Sequence, residues 1–188
     1  DSGGRVRGIN AKGAAADFSR KRIDELTEYV QQDFGAKGLA WFRVEEDGSL
    51  WSPIAKNLEA EVLAAISEQM EAEPGDQLFF IADTWEVSCK ALAGLRRRLG
   101  AELELYAADA MHFSWVVEFP MFDYDDEGQR WNAMHHPFTA PRTQDTDLLT
   151  DDPGACRAQA YDLVINGSEA GGGTIRLHDS ERQQKVLE

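Results

Sequence analysis

Residues 160–179 read A-Y-D-L-V-I-N-G-S-E-A-G-G-G-T-I-R-L-H-D. Tyr161, Leu163 and Ile165 alternate with Asp162, Val164 and Asn166, and Ile175 and Leu177 alternate with Thr174, Arg176 and His178. A period of two predicts two strands, each apolar on one face and polar on the other. Gly171, Gly172 and Gly173 lie between them and predict a glycine-rich bend, where a ligand can approach the backbone closely. Asp162, Glu169 and Arg176 recur every seven residues. Carboxylates beside one guanidinium suit a metal–phosphate complex together with a carboxylate-bearing substrate. A solvated hairpin face with a flexible turn fits the same pattern, so spacing alone leaves the two readings open.

Outward from this stretch, 188 residues have room for one domain or two small ones. A hydrophobic content of 43% with 28% charged residues is that of a soluble globular chain. The net charge of -15 argues against a broad basic footprint for nucleic acid, though not against a local contact. Cys89 and Cys156 fit no metal spacing, and two distant thiols point to a reducing compartment rather than a disulfide framework. No run has membrane-spanning length and the start of the chain has no apolar signal core, so a cytoplasmic protein without a membrane partner is expected.

In chain order, a strand is predicted from Arg5 and a helix capped by Ser19 with Ile23, Leu26 and Val30 as its stripe. A strand over 39–44 follows, then an Asp-Gly turn and a helix capped by Asn57. Next come a strand over 77–82 and a helix capped by Thr84 whose last turn holds Arg96, Arg97 and Arg98 ahead of Gly100. Beyond about 110 the pattern turns to antiparallel strands over 113–119 and 129–135, with 143–152 an exposed loop. The fold class is therefore α+β.

The acidic run from Asp123 to Gly128 mimics a calcium loop but places Met134 where a bidentate glutamate belongs. His135 and His136, being adjacent, would point to opposite faces of a strand and cannot readily share one ion. Neither a nucleophile elbow nor a phosphate-binding P-loop is present. The residues by themselves thus reach an α+β protein with a candidate anion and Mg2+ site.

F-P-M-F at 119–122, H-H-P-F-T at 135–139 and the 162–178 hairpin together resemble bacterial-type aspartyl-tRNA synthetases, in the part between class II motifs 2 and 3. Residues 1–110, with S-R-K-R-I-D-E-L and F-G-A-K-G-L-A-W-F, resemble that family's inserted GAD domain. The resemblance implies a GAD domain over 1–110 and a partial class II catalytic domain over 111–188, without motifs 1, 2 and 3. It therefore implies an excised fragment, inactive in isolation, of a homodimeric ATP-dependent aspartate–tRNA ligase. By the same resemblance Asp162 and Glu169 hold Mg2+ and the ATP phosphates, and Arg176 and His135 contact L-aspartate; tRNA is the acceptor. A free-standing GAD-type interaction module is the alternative, although it has no use for the H-H-P-F-T and hairpin motifs.

Overall fold

The computed structural model describes residues 4–107, 109–125 and 127–187. Contacts divide the chain between residues 108 and 109, two residues ahead of the boundary expected at 110. Helices and antiparallel sheets make it α+β. Among the described residues no helix is long and apolar enough to cross a membrane.

The first unit runs β1 (Arg5–Ala11), α1 (Arg20–Phe34), β2 (Ala40–Val44), β3 (Leu50–Trp51), α2 (Ala60–Gln69), β4 (Gln77–Asp83) and α3 (Trp85–Glu102). The strands form one antiparallel sheet in the order β1-β4-β2-β3. Alternation along β4 sends Phe79 and Ile81 into a core with Ile23, Leu26 and Val30 of α1 and Leu92, Leu95 and Leu99 of α3. Leu78, with Phe42 and Val44, packs instead under Leu63, Ile66 and Met70 of α2. Helices thus cover both faces of the sheet. Gly94 lets α1 and α3 meet, because a Cβ there would overlap the Phe34 ring.

Ser19 and Thr84 cap α1 and α3 as expected, accepting from the backbone N–H of Arg22 at 3.3 Å and of Val87 at 3.4 Å. Two expectations are corrected. Asn57 ends a short 3-10 turn and caps nothing, because Leu58 is extended and packs into the α2 core before the helix begins. The arginine triplet is not in a last turn either, since α3 runs through Gly100 to Glu102. Buried Leu99 and the packing of Leu103 carry the helix past the glycine, and Glu102 pairs with Arg98 at 2.7 Å and Arg22 at 2.9 Å.

The loop entering β4 is held by Asp76, 2% exposed. Its carboxylate accepts from Asn10 Nδ2 at 2.8 Å and from the backbone N–H of Gly13 at 2.7 Å and Glu73 at 3.0 Å. Burial opposes its charge, but these bonds and nearby Lys12 hold its carboxyl below the ordinary value.

The second unit contains β5 (Phe113–Val117), β6 (Phe122–Asp125), β7 (Arg130–Ala133), α4 (Leu148–Asp151), β8 (Ala160–Ile165), β9 (Ser168–Thr174) and α5 (Ser180–Leu187). β5-β8-β9 form an antiparallel sheet and β6-β7 a hairpin. β5 and β7 are both shorter than expected; β5 stops where Glu118 takes a φ of 62°. The core is small, comprising Met121, Phe122, Leu149, Cys156, Ala158 and Ala160.

The region 143–152, expected to be an exposed loop, instead buries Asp145 and Leu149. Asp145 receives the Arg157 guanidinium at 2.7 and 2.9 Å and the Arg157 backbone N–H at 3.1 Å. Arg157 also reaches Glu118 at 3.3 Å, and Glu118 pairs with Arg142. Charge pairing across twelve residues is what draws this acidic segment inward.

Candidate functional site

The 160–179 stretch is a hairpin, but its bend is not at the glycine run. The turn is Asn166-Gly167, with φ of 50° and 80°, and Gly171–Gly173 lie inside β9. A two-residue hairpin loop needs positive φ at both central positions, which Asn-Gly supplies most readily. Asn166 also clasps the chain entering β5. Its Nδ2 donates to Ala110 O at 2.8 Å, and its Oδ1 accepts from His112 N at 2.8 Å.

Within β9 the glycines make room for side chains from β8. Asp162 lies opposite Gly172 and Tyr161 opposite Gly173. A Cβ on Gly172 would overlap Asp162 Oδ1, and one on Gly173 would come within 2.8 Å of the Tyr161 hydroxyl. The two side chains therefore cross the strand on opposite faces of the sheet.

Residues directly opposite share a face. Asp162 opposes Gly172 and Val164 opposes Glu169, with a register shift between Leu163 and Val164 that leaves Ala170 unpaired. Asp162 and Glu169 are thus on one face as diagonal neighbours, with a separation of about 7–8 Å for such positions. Asp162 is half-buried and Glu169 exposed. The alternation from Gly172 through Thr174 carries Arg176 to the same side.

Arg176 is then fixed by an antiparallel bridge to Thr139. Ala140 N donates to Ile175 O at 2.9 Å and Leu177 N to Phe138 O at 2.8 Å, on either side of that bridge. The end of the H-H-P-F-T segment is thereby sewn to the segment bearing Arg176, just beyond β9.

His135 is exposed, and its ring stands 4.8 Å from that of Phe119. Among the described residues no hydrogen bond, ion pair or ring contact joins it to Asp162, Glu169 or Arg176. His136 is half-buried. It packs on Phe138 at 5.1 Å, and its Nδ1 accepts from Phe138 N at 3.1 Å, a local structural role.

Asp162, Glu169 and Arg176 have no side-chain hydrogen bond or ion pair among the described residues, which leaves two carboxylates and a guanidinium available to ligands. Two carboxylates fit Mg2+ as hard oxygen donors if phosphate and water complete its shell. No group of three His, Cys, Asp or Glu side chains forms a metal cage among the described residues. Asp125 instead accepts from Glu127 N at 3.1 Å and Gly128 N at 2.9 Å, closing the β6-β7 turn.

The opposite face of the β5-β8-β9 sheet is apolar and uncovered. Phe113, Trp115 and Val117 are each more than half exposed, and Trp115 meets Tyr161 at 5.9 Å. This is the apolar side of the hairpin, expected to pack on a core.

Sequence reasoning passed over Thr139, which is 2% exposed, and the Asp145–Arg157 pair. Thr139 lies within the H-H-P-F-T motif. The charge pair had no local signature.

Comparison with known proteins accounts for both units. Residues 1–92 match the GAD domain family model. The whole chain is 65% identical over 188 residues to the aspartate–tRNA(Asp/Asn) ligase of Rhodopirellula baltica, covering 32% of that protein. It is 52% identical over 185 residues to the ligase of the same name from Desulfatibacillum aliphaticivorans and 50% over 187 to that of Bacillus cytotoxicus, covering 31% of each. The chain spans about a third of the length of these relatives. Over its whole length the chain is thus similar to about a third of the aspartate–tRNA(Asp/Asn) ligases, and its first 92 residues match the GAD domain model.

Proposed function

We propose that this chain is the part of a class II aspartate–tRNA ligase that holds the amino-acid carboxylate and the ATP phosphates, working in the cytoplasm on L-aspartate, ATP and tRNA. What supports the reading is one guanidinium, Arg176, on the same side of a glycine-backed strand as two carboxylates that have no partners of their own.

In the proposed reaction an α-carboxylate oxygen of aspartate attacks the α-phosphorus of ATP and pyrophosphate leaves. A terminal hydroxyl of tRNA then attacks the carbonyl of the aspartyl-adenylate, and AMP leaves. Arg176 presents a donor fork to the side-chain carboxylate of aspartate, a bidentate match that fixes orientation as well as charge. His135 contacts the same amino acid. Asp162 and Glu169 are the residues that would hold Mg2+, which when bound would neutralise charge on the phosphates. No residue is required as a covalent nucleophile; positioning and electrostatics supply the rate. The relatives are named for both tRNA(Asp) and tRNA(Asn), and charging of both is the reading carried to this chain.

The test is a chimera in which these 188 residues replace the matching third of the Rhodopirellula baltica ligase. Aspartate-dependent pyrophosphate–ATP exchange should be retained. Asp162→Asn and Glu169→Gln should each lower it by roughly a hundredfold, as when one transition-state donor is lost. Both variants exchanging at the unsubstituted rate would refute the reading.

A further inference from the structure

Thr139 is 2% exposed, and its hydroxyl oxygen is buried with no hydrogen-bond partner. A buried hydroxyl left unpaired is costly, and such groups in folded proteins are few. Its location accounts for it. The backbone bonds from Ala140 N to Ile175 O and from Leu177 N to Phe138 O flank the Thr139–Arg176 bridge. This makes Thr139 and Arg176 a non-hydrogen-bonded antiparallel pair, the kind in which opposing side chains stand closest, with Cα atoms about 4.5 Å apart. Thr139 itself is held in place, its N–H donating to His136 O at 2.9 Å.

We propose that Thr139 is a positioning residue for Arg176, its hydroxyl accepting an N–H of the guanidinium when a carboxylate occupies the fork. The inference rests on the reading of Arg176 as the group that binds the substrate carboxylate. A guanidinium can only donate, and a hydroxyl can accept. The chemistry of the pair is therefore complementary, and threonine's β-branching restricts where the oxygen can point. Arg176 is exposed and without another partner among the described residues, so its long side chain must otherwise lose its rotamer freedom entirely at the expense of ligand binding. Anchoring one N–H on Thr139 aims the remaining donors outward. The ligand concerned is a carboxylate, and the effect belongs to binding more than to the chemical step.

The experiment uses the same chimera, measuring aspartate-dependent exchange and thermal midpoint for Thr139→Val, Thr139→Ser, Arg176→Lys and the Thr139→Val/Arg176→Lys double variant. Valine keeps the shape and removes the hydroxyl. Its KM for aspartate should rise about tenfold, as expected when a hydrogen bond to a charged group is lost, with kcat little changed. Its thermal midpoint should not fall, because an unpaired hydroxyl is replaced by a methyl. Serine should restore KM to within about twofold to threefold. In the Arg176→Lys background Thr139→Val should add nothing further. An unchanged KM in Thr139→Val, or a KM effect of equal size in both backgrounds, overturns the inference. A chimera without exchange, or Arg176→Lys with unaltered aspartate kinetics, instead overturns the reading on which it rests.

Discussion

Replacing Asn166 by alanine should loosen the hairpin that carries Asp162 and Glu169. Two physical losses add together. Alanine has no local hydrogen bond to compensate a φ of 50°, which costs roughly 1–2 kcal/mol in the left-handed region. The two side-chain bonds to Ala110 and His112, at 2.8 Å each, are exposed and neutral, so each contributes about 0.5–1 kcal/mol. The sum is about 2–4 kcal/mol, a change of roughly thirtyfold to several hundredfold in an opening equilibrium. Hydrogen exchange of the amides of β8 and β9, in the 188-residue chain, reads this directly. Asn166→Asp keeps tolerance of positive φ and the acceptor for His112 N but loses the donor to Ala110 O, so it should fall between wild type and Asn166→Ala. Exchange in β8 and β9 unchanged by Asn166→Ala, or faster in Asn166→Asp than in Asn166→Ala, would refute the assignment of the turn as the element that holds this site.

Three further outcomes follow from other parts of the chain. Asp76→Ala leaves three N–H donors without an acceptor and should destabilise the first unit by about 3–5 kcal/mol, seen in its urea midpoint. Because the folded carboxyl of Asp76 titrates below its ordinary value, its contribution is complete above the unfolded pKa near ~3.9 and is lost as pH falls below it. The wild-type midpoint should then drop in that acid range more than that of Asp76→Ala. Burial, with the Asp145 carboxylate nearby, pushes the Cys156 thiol up to about 11, so at pH 8 an alkylating reagent should label half-buried Cys89 first and Cys156 only on unfolding. Gly172→Ala should displace Asp162 from its place across β9 and, in the chimera, raise the KM for ATP, because the added Cβ would overlap Asp162 Oδ1 and crowd the Tyr161 backbone carbonyl.

The legible parts of the fold were those written in local periodicity. Ile23, Leu26 and Val30 marked α1, and Ser19 and Thr84 marked the helix starts, because caps and stripes act over a single turn. The hairpin was visible as two alternating strands, but its bend was assigned to three glycines when Asn166-Gly167 holds the geometry a tight turn requires. Glycine in a strand and glycine in a turn look alike in sequence; only the cross-strand neighbours, Tyr161 and Asp162, tell them apart. What long-range contacts decide was not legible at all. Asp145 lay in a stretch whose composition reads as solvent-exposed, and its burial depends on Arg157. Thr139 lies within the H-H-P-F-T motif, yet its pairing with Arg176 depends on a bridge between segments 37 residues apart, which no local pattern encodes.

The most direct test of the central claim is the selectivity of the chimera for aspartate over asparagine with and without Arg176. A guanidinium offers only donors, which match both oxygens of a carboxylate and meet the NH2 of an amide as a clash. A site built to hydrogen-bond one substrate's polar group can reject the wrong partner by roughly 10⁴-fold. Measured as the ratio of kcat/KM for the two amino acids in pyrophosphate–ATP exchange, Arg176→Gln should lower the aspartate value steeply and bring the ratio toward unity. An Arg176→Gln chimera with the aspartate value and the ratio both unchanged would show that the substrate carboxylate is read by another residue.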